Sequence, residues 1–186
     1  MTDSERDALL TIAFEILADS DTHSDPQMRC LLISGLARAA GPSGMVAGQM
    51  IDVIGAGAVE GVNSVTRMNR LKTGALINFA VEAGALLGGA PDDARGALAR
   101  FATDVGLAFQ MVDDLLDVEA SATELGKAVG KDAAAGKVNF ITLMGVEDTQ
   151  ARVRLLAAQA KGHLAIFGPR AKILCDAVDF VLDRRN

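Results

Sequence analysis

An all-α fold is predicted for this chain of 186 residues by three observations. The composition is 50% apolar, rich in Ala, Leu and Gly and without Trp or Tyr, which favours helix over sheet. Pro and Gly stand as punctuation between apolar stretches, at Gly41-Pro42, Pro91 and Pro169. No segment alternates apolar and polar residues as a half-buried strand would.

The elements follow in order. Residues 7–18 (DALLTIAFEILA) read as a strongly apolar helix, and 19–27 as a polar loop that Pro26 closes into the next helix start. Residues 27–40 are an amphipathic helix stopped by Gly41-Pro42. Residues 43–54 are small and apolar on nearly every face, so this helix is expected to be deeply packed. GAGAVEG (55–61) is a break. Residues 64–72 form a short amphipathic helix or loop, and 73–88 another buried helix. Asp92 and Asp93 suit the first turn of a long helix over 92–118. Gly126, Gly130 and Gly136 make 121–137 a loop; 138–145 and 147–166 are helical, and Pro169 opens a last helix over 170–184. The whole is read as a single domain over 1–186.

Several classes are disfavoured. A net charge of −6 supplies no basic patch for nucleic acid. No basic and then apolar leader follows Met1, and no apolar run is read as reaching the roughly 18 residues of a membrane span. Cys30 and Cys175 are expected to be buried thiols of a reducing cytosol, and a cytoplasmic protein is the expectation. His23 and His163 stand alone, without zinc-ligand spacing.

The chemistry concentrates in GLAFQMVDDLLD (106–117). Gln110, Asp113, Asp114 and Asp117 fall at i, i+3, i+4 and i+7, on one helix face. Each like-charge pair costs roughly 0.2–0.5 kcal/mol, and no base lies within a turn. The helix is otherwise apolar, so a solvated charged face is a poorer reading than a cavity or interface. All-oxygen donors suit Mg²⁺. Lys72-Thr73-Gly74, read as the start of a buried helix, places a cation and a hydroxyl where an anion can dock; a surface lysine and an N-cap threonine are the plainer alternative. Lys127, Lys131 and Lys137 stand in a Gly-rich segment whose backbone can approach phosphate, or which is an ordinary solvated loop. Acids, glycines and lysines together fit a magnesium-bridged diphosphate. Gly55, Gly57 and Gly61 loosely match a dinucleotide fingerprint, but helix precedes them where a strand is needed. DSDTHSD (19–25) lacks the spacing of a calcium loop.

These segments, in this order, resemble the trans-isoprenyl diphosphate synthases, or polyprenyl synthetases. DALLTIAFEILA (7–18), GMVAGQMIDV (44–53), KTGALINFAVEAGALLGG (72–89), GLAFQMVDDLLD (106–117) and LGKAVGKDAAAGKVNFITLMG (125–145) each look like a family motif, and the similarity is nearest to short-chain farnesyl diphosphate synthases. The resemblance implies an isoprenoid-synthase-type helical bundle, usually a homodimer through the helices near 7–18 and 44–54. It implies condensation of an allylic diphosphate (dimethylallyl or geranyl) with isopentenyl diphosphate, with Mg²⁺ assisting ionisation. By position it implies Asp113, Asp114 and Asp117 at the metal, Asp113 most directly and Asp114 through water. Lys72, Lys127 and Lys137 would hold the allylic diphosphate, and Thr73 and Gln110 would face the ionising carbon. This sequence departs from the family in lacking a first Asp-rich motif, and Arg6 replaces the glycine usual before Asp7. The expectation is therefore a bundle incomplete at its N-terminus that carries one wall of the active site and still folds and associates, inactive as a fragment unless another chain supplies the missing wall. A non-catalytic partner subunit is the alternative, although it would have no need of the retained set. A terpene cyclase is a third reading, and DDLLD does not match its second metal motif.

Overall fold

The computed structural model describes residues 3–55, 61–125 and 138–184. Among them every regular element is helical. Helix α1 covers Asp3–Ala18, α2 Pro26–Ala40, α3 Met45–Ile54 and α4 Gly61–Asn69. A π-helical turn, Arg70–Gly74, joins α4 directly to α5, Ala75–Leu87. Then come α6 (Asp92–Leu125), α7 (Phe140–Met144), α8 (Val146–His163), a 3₁₀ segment (Ala165–Ala171) and α9 (Lys172–Asp183).

Local chemistry explains several boundaries. Asp25 caps α2, its Oδ1 accepting from the Gln27 amide at 2.8 Å, while Pro26 occupies the first turn, where its missing N–H costs nothing. Asp25→Ala is expected to lower stability by about 1 kcal/mol, read as the shift of a urea denaturation midpoint. Asn139 and Thr142 form a reciprocal capping box that starts α7. Gly145 ends α7 at φ 84°, a conformation that L side chains rarely adopt.

The 34-residue α6 is the axis of the bundle and packs most extensively against α8 and α5. Two apolar clusters are strung along it. Nearer its N-terminus, Phe101 and Ala102 pack with Ala157, Ala160, Leu164, Ala171 and Val178. Further along, Leu107, Ala108, Met111 and Val112 pack with Val65, Met68, Phe140, Val153 and Leu156. The second cluster forms the floor beneath the acidic stripe.

Several expectations are corrected. Helix α6 extends to Leu125, so 121–125 is helix where a loop was expected. Helix α3 is not deeply packed: only Gly48 is buried, while Val46, Met50, Val53 and Ile54 are exposed. Leu9, Ile12 and Ile16 of α1 are exposed as well. An all-round apolar sequence was read as all-round burial, and the fold instead leaves one side of α1 and α3 open. Of α5, only Ala83 and Ala85 are fully buried. Cys30 is an exposed thiol and Cys175 a half-buried one, both free. The stretch Pro26–Ile54 is apolar enough to span a membrane by length and composition, contrary to the sequence reading. Yet the turn at 41–44 divides it into helices of 15 and 10 residues. Each is shorter than the roughly 20 residues a bilayer crossing needs.

Candidate diphosphate and metal site

Gln110 and Asp114 of the acidic stripe lie where α3, the π turn, α6 and residues 138–140 converge on an open cleft; Asp113, Asp117 and Thr73 do not line it. Asp52, Met68, Asn69, Lys72, Gln110, Asp114, Val138 and Asn139 line it. Two glycine crossings bring the elements together. A Cβ on Gly48 would stand 2.2 Å from the Lys72 nitrogen and 2.5 Å from its Cα, so α3 can lie directly on the π turn only because Gly48 has none. On the other side, a Cβ on Gly106 would stand 3.3 Å from the Cα of Gly74.

Lys72-Thr73-Gly74 thus occupies the interior of a continuous helical run, not a helix N-terminus as the sequence suggested. Gly74 and Ala75 both have right-handed helical torsions, so no ring of free N–H groups faces the cleft here. What the segment contributes is side chains, re-aimed by the π turn. The Lys72 Nζ donates to Asp52 Oδ2 at 2.7 Å, with both side chains about a quarter exposed. The Thr73 hydroxyl donates to Gln110 Oε1 at 3.2 Å.

Gln110 passes this connection along α6. Its Nε2 donates to Asp114 Oδ1 at 3.3 Å, and the Phe140 amide donates to Asp114 Oδ2 at 3.1 Å. Asp114 is only 5% exposed, with both oxygens accepting from the protein. It ties the start of α7 to α6 and fixes the amide of Gln110. Burying a carboxylate is costly unless such donors replace water, and here they do.

Its neighbours face outward. The Asp113 carboxylate, 36% exposed, is paired with the Arg184 guanidinium. That guanidinium also lies 4.2 Å from the centroid of the Phe109 ring, a cation–π arrangement. The sequence reading found no base beside the acids; the end of α9 supplies one, 71 residues away in the chain. Asp117 is exposed one turn beyond Asp113. Lys127 and Lys137 lie outside the described residues, as does Lys131.

The residues fit Mg²⁺ chemically. Magnesium is commonly held by one or two carboxylates together with substrate phosphates. Asp113 and Asp117, at i and i+4 on the open side of α6, supply that number. Asp114 is the positioning residue between them, its oxygens committed inward. No cluster of three acidic, His or Cys ligands that could hold a metal occurs among the described residues. Sequence reasoning missed Asp52 and Arg184. Asp52 stands four residues after Gly48 in a segment already singled out, and only the fold discloses its partner. Arg184 carried no local signal beyond a base near a helix end.

Comparison with known proteins identifies the family. Residues 5–164 match the model of the family described as polyprenyl synthetase. The chain is 36% identical over 176 residues to a farnesyl diphosphate synthase of Geobacillus stearothermophilus, covering 92% of this chain and 59% of that protein. It is 35% identical to a geranylgeranyl diphosphate synthase of Cyanophora paradoxa, covering 97% of this chain and 60% of that one. Among solved structures, an apo FPP/GFPP synthase from Zymomonas mobilis superposes with a TM-score of 0.81 at 39% identity, over 94% of this chain and 58% of that one. A geranyltransferase from Helicobacter pylori, complexed with magnesium and isoprenyl diphosphate, gives 0.74 at 27% identity, over 95% and 57% of the two chains. The chain thus spans 49–60% of the length of these and similar curated relatives. With its helical architecture, its ordered motifs and these similarities, the chain belongs to the polyprenyl synthetase family.

Proposed function

We propose that this chain provides the lysine wall and second acidic wall of a prenyl diphosphate synthase site, acting on an allylic diphosphate, dimethylallyl or geranyl, and isopentenyl diphosphate. The observation that carries the reading is the relay from Thr73 through Gln110 to Asp114. It fixes Gln110 and Asp114, which line one cleft together with Lys72, while Asp113 and Asp117 stand on the outward side of the same helix.

In the reaction the allylic C–O bond breaks, pyrophosphate leaves, a C–C bond forms to isopentenyl diphosphate and one proton is lost. Magnesium, when bound, supplies positive charge that stabilises the leaving pyrophosphate. Asp113 and Asp117 would hold that cation, Asp113 giving up its pair with Arg184. Lys72 holds an oxygen of the allylic diphosphate, and Lys127 and Lys137 are assigned to the same group. Thr73 and Gln110 turn their oxygens toward the carbon that becomes positive. The product assigned is of farnesyl length; the relatives are named for both farnesyl and geranylgeranyl products. The protein is assigned to the cytoplasm and to a homodimer joined through the exposed apolar sides of α1 and α3.

Incorporation of labelled isopentenyl diphosphate into geranyl diphosphate, with Mg²⁺ and this chain alone, tests the reading. Folded, helical protein without turnover is expected from one wall of such a site. Turnover to a C15 product, lowered by about 10²–10³-fold in Asp113→Ala as when a main electrostatic stabiliser is removed, would overturn the one-wall reading and show that the first acidic motif is dispensable or supplied by a second subunit.

A further inference from the structure

We propose that Asp52 determines which form of diphosphate the cleft accepts, admitting it when a divalent cation has neutralised part of its charge and disfavouring the bare anion. This rests on the prenyl diphosphate synthase reading and deepens it by assigning a specificity residue.

The cleft is not a preformed anion hole. Among the described lining residues the charged ones are Lys72, Asp52 and Asp114, one cation against two anions. Asp114 has its two oxygens turned to Gln110 and Phe140. Asp52 does not retire in this way. It stays partly exposed on the wall of the cleft, its Oδ2 at 2.7 Å from the Lys72 Nζ. The ammonium that an incoming phosphate needs is already engaged by a carboxylate. A ligand has to share Lys72 with Asp52 and sit beside a like charge.

The penalty from that like charge grows with the charge of the ligand. Free pyrophosphate near neutral pH carries about three negative charges and its magnesium complex about one, so Asp52 disfavours the free anion more. The neutral lining groups, Asn69, Gln110 and Asn139, supply no comparable discrimination. Gly48 fixes the arrangement. It lies one turn before Asp52 on α3, and its contact with the Lys72 backbone sets the distance between the carboxylate and the lysine.

Calorimetric titration of the whole chain with inorganic pyrophosphate, in Mg²⁺ or in EDTA, tests this without turnover. Asp52→Asn is expected to tighten binding of the free anion about tenfold and that of the magnesium complex by no more than about threefold, following the ratio of ligand charges. Asp52→Glu, which keeps the charge, is expected to retain the wild-type preference. Equal tightening of both forms would overturn the proposal. So would weakening of both, which would make Asp52 only an anchor for the lysine. Should Asp52→Asn lose its helical circular dichroism, the wild-type chain and Asp52→Glu decide: both must bind the magnesium complex at least about tenfold more tightly than the free anion. Wild-type protein that binds neither form would overturn the synthase reading as well. Wild-type protein that binds the magnesium complex, with no differential effect of Asp52→Asn, would overturn the role of Asp52 alone.

Discussion

Gly48→Ala is expected to destabilise the protein by about 3 kcal/mol, near the upper end of what one added methyl costs in a packed crossing. The new Cβ would meet the nitrogen, Cα and Cβ of Lys72 at 2.2, 2.5 and 2.7 Å. Most of these are backbone atoms held in the π turn, so no side chain can swing aside. Relief requires α3 to lift from the turn. Asp52, one turn further on the same face, would move with it and lengthen the pair with Lys72. The substitution is therefore expected to lower stability and to weaken pyrophosphate binding together. Gly84→Ala is the matched control. A Cβ at Gly84, inside α5, meets nothing within 4 Å, and alanine there is expected to stabilise by about 0.5–1 kcal/mol. Urea denaturation of the two variants reads the opposite signs, and two shifts of the same sign would refute the steric account.

Asp114→Ala is expected to cost about 2–3 kcal/mol, while Asp113→Ala changes stability by less than about 1 kcal/mol. The contrast comes from neighbouring positions in one motif. Removing the Asp114 carboxylate deprives the Phe140 amide of its acceptor at a residue that is 0% exposed, and it frees the Gln110 amide as well. A buried donor left without a partner costs its full desolvation. Asp113 and Arg184 are both partly exposed, so their pair contributes little to folding. Chemical denaturation of the two variants checks the ranking, and equal destabilisation would argue against distinct inward and outward roles. Asp114→Asn is expected to fall between them, because its single amide oxygen can serve only one of the two donors.

The acidic stripe was legible in sequence because the 3.6-residue period states which residues share a face. It could not state which acid turns inward. Asp113 and Asp114 differ by one position, about 100° around the helix, and it is the amide of Phe140 that selects Asp114. The helical class and several boundaries were legible because capping residues and prolines act locally. Lys72-Thr73-Gly74 was misread as a helix start because a π turn has no propensity signature; here it occurs where α3 crosses at Gly48. The packing of α3 was misread because an apolar surface does not reveal what, if anything, covers it. Arg184 was not legible as a site residue, since its meeting with Asp113 depends on the path of α8 and α9 back along α6.

The length of α6 has a consequence for how the protein comes apart. At about 1.5 Å per residue, its 34 residues make a rod of about 51 Å. Phe101 and Ala102 anchor it in one apolar cluster, Leu107 and Met111 in the other, and Asp114 follows within a turn of Met111. Amides at the acidic motif should therefore not exchange with solvent by a private opening. Their exchange should track the global unfolding of the bundle, so that a mutation beside Val178, at the far cluster, speeds exchange at Asp114 as much as one beside Phe140.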